Sequence, residues 1–216
     1  MDIGKAFAYV FEDKNWLVKI LIGGLLLLIP IVNFIPIGYA LTALRNVAEG
    51  KESPLPEWDD WGGYFTRGLM AFLAGLLYAL PIFVLVGIAS AFSAIAGARE
   101  EGALVSLAAL CVTLLYCLNI LYGLAMGLWL PGALTNYAFK GEFSALFSFG
   151  EIYRYISANV GNYLIAWIIS LVASFVASFG VILCVVGVIF TSFWAYLVWA
   201  HLFGQVWRLA SAKVAL

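Results

Sequence analysis

The sequence predicts an all-α, polytopic helical membrane protein. It has about six membrane segments in three hairpins, with amphipathic helices lying at the interface. Three observations predict this. First, 65% of the 216 residues are hydrophobic and only 11% are charged, against about 25% charged in an average soluble domain; mean hydropathy is +1.04. Second, no Asp, Glu, Lys or Arg occurs over residues 20–44, 68–98, 103–139 and 159–207. Apolar runs beyond about 18 residues are transmembrane candidates, and a soluble core of this size does not bury that much apolar surface, so lipid is its solvent. Third, ten of the eleven basic residues fall on one side of a single topology, as the positive-inside rule prefers. Only Arg99 stands apart, in the loop Ala98-Arg99-Glu100-Glu101-Gly102.

Taken in order, residues 2–14 place Ile3, Phe7, Val10 and Phe11 at helical spacing, with Lys5, Glu12, Asp13 and Lys14 off that stripe. This predicts an interfacial amphipathic helix. No basic n-region and no small-residue cleavage site flank the first apolar run, which is taken as a retained membrane segment. The run 17–47 is broken by Pro30 and Pro36. As one helix it would extend about 46 Å, and as a hairpin each arm would reach only about 20 Å, against a hydrocarbon core of about 30 Å. A tilted, kinked span and a re-entrant hairpin are both open. Charge asymmetry favours the hairpin and two cytoplasmic termini.

The segment 46–67 carries Glu49, Lys51, Glu52, Glu57, Asp59, Asp60 and the pair Trp58/Trp61. Pro54 and Pro56 bracket an extended stretch, and the remainder predicts an interfacial helix. Spans follow over 68–97, with a kink at Pro81, and over 103–136, with Pro131 near its end. Residues 143–159 predict a second interfacial segment. The run 163–207 has room for two spans, with Gly180 and Gly187 offering turns, and ends in the belt Trp194, Tyr196, Trp199, His201 and Trp207. The whole chain, 1–216, is one membrane domain with a weak threefold repeat over 2–48, 55–139 and 143–208. The words A-E-G-K at 48, F-K-G-E at 139 and L-F-G-Q at 202 mark it.

No catalytic constellation is legible, so the chain is not expected to be an enzyme. Cys111, Cys117 and Cys184 sit inside apolar runs without ligand spacing and predict small apolar core residues. His201, the one histidine, is expected to be an interfacial polar residue. Neither a metal nor a cofactor is predicted, and a net charge of −1 without a basic tract excludes nucleic acid as a partner. Two groups remain as candidate sites. Pro30, Asn33 and Pro36 form a possible ligand or hinge position, with Asn33 either binding a small ligand or capping a turn. Arg45, Trp58, Asp59, Asp60, Trp61 and Arg67 form a possible interaction collar, in which Arg45, Lys51 and Arg67 are available to pair with the carboxylates. Small residues recur every four positions at Ala71/Gly75/Ala79, Gly123/Gly127 and Ser170/Ser174/Ser178. They serve equally for packing inside one protomer and for self-association.

Five words carry a family resemblance: A-F-x-Y-V-F-E-D-K-N-W at 6–16, L-I-G-G-L-L-L-L-I-P-I-V-N-F at 21–34, G-Y-A-L-T-A-L-R-N-V-A-E-G at 38–50, L-P-E-W-D-D-W at 55–61 and A-H-L-F-G-Q at 200–205. Together the chain resembles the family called domain of unknown function 4013. The resemblance implies a multi-span protein of the prokaryotic cell membrane and supplies no catalytic residues. The expected function is assembly, as a homo-oligomer or as an accessory subunit of a membrane-protein complex. The alternative is a transporter or channel for an apolar or lipid-like molecule that uses the Pro30–Pro36 break. The absence of charge within the spans argues against ion coupling.

Overall fold

The computed structural model describes residues 1–97, 102–182 and 186–213. The Arg99 loop and Cys184 lie outside the described residues. Eight α-helices account for most of the described chain: α1 (Ile3–Glu12), α2 (Trp16–Leu27), α3 (Phe34–Ala48), α4 (Trp61–Gly97), α5 (Ala103–Lys140), α6 (Phe149–Ala158), α7 (Val160–Ser178) and α8 (Gly187–Ser211). Short 3₁₀ turns occupy Phe143–Phe147 and Phe179–Ile182.

Four segments are long and apolar enough to cross a membrane: Trp61–Ala94, Val105–Lys140, Val160–Ile182 and Gly187–Ser211. The run 17–47 adds none, because it divides into α2 and α3, of 12 and 15 residues. At 1.5 Å per residue these are roughly 18 and 22 Å long, short of the roughly 30 Å core. The described residues therefore hold four helices of spanning length, the short apolar α2 and the short α3. The break lies at 28–33, where Ile31 takes φ 73°, a conformation that a β-branched side chain adopts only under strain.

The helices form two compact units, residues 1–72 with 131–216, and residues 73–130. In the first, α8 is the central helix and packs against α1, α2, α3, α6 and α7. Its sequence suits that place, since small residues (Ala195, Ala200, Gly204, Ala210) and large ones (Leu197, Phe203, Val206) are buried all round it. On α1 the face packed on the protein is distinct from most of the apolar stripe read for the interface. Ala6, Tyr9 and Val10 are buried, while Ile3 and Phe11 are exposed. The Tyr9 hydroxyl, donating to Leu197 O at 2.9 Å, fixes that face against α8. In the second unit, Tyr122 donates to Tyr78 O at 2.7 Å, and the Trp129 indole N–H reaches the Tyr78 hydroxyl at 3.3 Å. Phe83, Val84, Leu114, Ile120 and Leu121 point outward, as lipid-facing residues do.

One correction concerns local structure. Residues 57–60 are not helical; they stay irregular until α4 starts at Trp61. The reason is Asp60, whose Oδ1 accepts from Gly63 N at 2.9 Å and so caps α4 there. The three related words also differ in use. Gly50 (φ 75°) and Gly141 (φ 73°) close α3 and α5 in the left-handed conformation that ends helices. Gly204 instead lies inside α8, where an added Cβ would stand 2.6 Å from Leu44 O.

Candidate functional site

The segment 54–57 contains two prolines and makes no regular structure, so its carbonyls need partners from elsewhere. Each finds a side chain. Asn46 Nδ2 donates to Pro54 O at 3.0 Å and Lys19 Nζ to Leu55 O at 3.3 Å. The Tyr39 hydroxyl donates to Pro56 O at 2.7 Å and the Tyr64 hydroxyl to Glu57 O at 2.6 Å. Donors on α2, α3 and α4 thus hold one strap of extended chain across their ends. Trp58 closes the strap. It stacks on Tyr39 with ring centroids 4.1 Å apart and on Trp61 at 5.5 Å. It also reaches Tyr64 and Phe193, each at 6.0 Å.

Lys19 is the residue that the sequence does not announce. It stands one position before an uncharged run, yet it is 2% exposed and lies 2.7 Å from both Asp13 Oδ2 and Glu57 Oε1. Asp13 is also shielded, with its side chain 9% exposed. Burial pushes the Asp13 carboxyl up, and the Lys19 ammonium with the Asn15 backbone N–H overrides it, leaving it below the usual carboxylate range.

The expected collar divides into separate parts. Arg67 Nη2 pairs with Asp60 at 3.1 Å, and Arg67 Nη1 donates to Thr42 Oγ1 at 2.9 Å. Asp59 accepts from Tyr64 at 3.4 Å, and Glu57 belongs to Lys19. Arg45 and Lys51 turn to Glu49, at 2.7 and 3.2 Å. The Arg45 guanidinium holds the Glu49 carboxyl below its usual range, and Lys51 adds to this. Of the pairings anticipated with 57–60, only Arg67–Asp60 forms. Arg45, Lys51 and Arg67 nonetheless line one cleft of about 230 Å³ with Thr42, Asn46 and Glu49.

At the other candidate position, Pro30 follows the end of α2, and Pro36 sits in the first turn of α3, where a missing N–H is harmless. Asn33 precedes α3 without a side-chain capping bond, so it does not cap the turn. Its Oδ1 is buried without a partner.

His201 is packed inside the helices. It is 3% exposed, lies 4.4 Å from the Tyr9 ring, and is 2.8 Å from Gln205 through Nδ1. Gln205 in turn grips the N-terminus: Oε1 accepts from Asp2 N at 2.6 Å, and Nε2 donates to Asp2 O at 2.9 Å. The word A-H-L-F-G-Q is therefore a docking element for α1. Gln205→Leu is expected to lower stability by about 2 kcal/mol, through lost hydrogen bonds and unpaired buried groups. It should selectively accelerate amide hydrogen exchange over residues 2–12. Unchanged exchange there would show that Gln205 does not hold α1.

A family model described as a protein of unknown function (DUF4013) matches residues 22–186. No curated protein and no solved structure matches the chain.

Proposed function

The chain belongs to the DUF4013 family, and from that premise we propose that it acts in the prokaryotic cell membrane by assembly with a second copy of itself, without a catalytic site of its own. Gly75 on α4 and Gly123 on α5 carry the proposal, since an added Cβ at either would meet nothing within 4 Å. Small residues left uncovered within a protomer are available for close approach by another helix. Both termini are taken as cytoplasmic, with Lys51 and Arg67 on either side of the strap and the basic residues of the helix ends on that side.

The test is the monomer–dimer equilibrium in detergent, followed by native mass spectrometry and by energy transfer between labelled copies. Gly75→Leu and Gly123→Leu are each expected to weaken association about 10-fold, equivalent to about 1.4 kcal/mol of lost close packing. A wild-type protein that stays monomeric at every concentration sinks the proposal.

A further inference from the structure

The cleft at Arg45, Lys51 and Arg67 continues into an apolar groove, and the two together have the profile of a single lipid. The cleft is polar and its cations are held in place. Thr42 Oγ1 accepts from Arg67 and donates to Gly38 O at 3.0 Å, while Asn46 Oδ1 accepts from Lys51 Nζ at 2.6 Å. The three cations are ion-paired with two carboxylates, Glu49 and Asp60, and of these only Glu49 lines the cleft. One positive charge is left in excess, the complement of one phosphodiester. Arg45 and Lys51 are each about half exposed, so the charge is accessible. Trp58 and Trp61 lie just before and at the start of α4, in the same segment as Arg67, at the level where Trp marks the headgroup region.

The groove lies between α3, α5, α7 and α8. It has a volume of about 300 Å³ and is lined by Ile37, Leu134, Ser170, Ser174, Tyr196 and Trp199. Its two serines spend their hydroxyl protons inside α7, on Ala166 O at 2.7 Å and Ser170 O at 2.9 Å, so they present little to attract a polar ligand. Tyr196 is 40% exposed, leaving the groove open at its side. Leu41 lines both spaces. On α5, Leu134 lines the groove and Ala138, one turn on, lines the cleft. From Ile37 to Arg45 is a rise of about 12 Å along α3.

We propose that this composite site binds one anionic phospholipid, with its phosphate on Arg45, Lys51 and Arg67 and an acyl chain in the groove beside Leu41. A free phosphate would use the cations and leave the groove unused; a zwitterionic lipid would fill the groove without needing the excess charge.

The experiment retains the full chain in detergent and titrates phosphatidylglycerol, phosphatidylcholine and inorganic phosphate by native mass spectrometry. Phosphatidylglycerol should bind one per chain and more tightly than phosphatidylcholine. Arg45→Gln and Lys51→Gln should each weaken it about fivefold, from about 1 kcal/mol per cation near a membrane surface. Glu49→Gln, which adds to the excess charge, should strengthen it by a similar factor, a change of sign that misfolding would not produce. Ser174→Phe, which fills the groove, should weaken it while leaving the thermal midpoint near that of wild type. Displacement by millimolar inorganic phosphate, with no effect of Ser174→Phe, would overturn the lipid assignment in favour of a free anion. Equal retention of both lipids, insensitive to all four variants, would overturn the site.

Discussion

Gly38→Ala and Gly68→Ala are each expected to destabilise the protein by about 3 kcal/mol, the upper end of the range for overpacking. Here α3 and α4 touch backbone to backbone. A Cβ at Gly38 would stand 1.9 Å from Tyr64 O, and one at Gly68 would stand 1.8 Å from Phe34 O. The contact is reciprocal, because each glycine lies four residues after the carbonyl that meets the other. Neither obstacle is a side chain that can rotate away, so a single methyl forces the helices apart. That movement also disturbs the Tyr39 and Tyr64 hydroxyl bonds to the strap. Gly87→Ala is the matched control, since nothing lies within 4 Å of the added atom. It should be neutral or stabilising by up to about 1 kcal/mol through helix propensity. Thermal unfolding in detergent distinguishes the two classes. A Gly38→Ala protein that melts with wild type would mean that the helices do not approach this closely.

Lys19→Met should destabilise the protein by about 3 kcal/mol, the low end for breaking a buried ion pair. The low end applies because Glu57 is 66% exposed and regains water, whereas Asp13 and the Leu55 carbonyl are left without their partner. The pH dependence gives a sharper readout. Asp13 has a folded pKa lowered from its ordinary value, so the unfolded chain binds its proton first on acidification. Its stabilising contribution is fully present above the unfolded carboxylate pKa. The contribution is lost as pH falls from about 4 through the lowered folded value. Lys19→Met should flatten this part of the stability profile below pH 4 and leave the slope at neutral pH unchanged. An acid limb that survives the substitution would assign it to other carboxylates.

Much of this was legible in the chain. The uncharged runs demanded helices in lipid, because an unpaired backbone group in hydrocarbon costs several kcal/mol and a helix satisfies its own. Pro30 and Pro36 flagged the break between α2 and α3, where Pro30 lies in the non-helical turn and Pro36 in the first turn of α3, while Pro81 and Pro131 are carried inside α4 and α5. The words at 38–50 and 55–61 belong to the segments that now form the strap and its donors. The collar was legible only as a composition. Arg45, Lys51 and Arg67 were visible as cations, but pairing depends on where Glu49, Glu57 and Asp60 come to lie in space. Periodicity gave α1 an apolar stripe for the membrane interface, but not the face Ala6, Tyr9 and Val10 that packs on the protein. The reason is that the Tyr9 hydroxyl has a carbonyl to reach on α8, which no local pattern records.

The sequence by itself determined the solvent, the helical class and the places where helices stop. Those follow from the transfer cost of charge and backbone and from the stereochemistry of proline and glycine, all of which act locally. Tertiary structure alone decided which glycines face a neighbour's backbone, that Lys19 is buried, and that Asn46, Lys19, Tyr39 and Tyr64 converge on four successive carbonyls. It also joined the Arg45–Lys51–Arg67 cleft to the groove beside Leu41. These are relations between residues far apart in the chain, and they exist only once α3, α4, α5, α7 and α8 have packed.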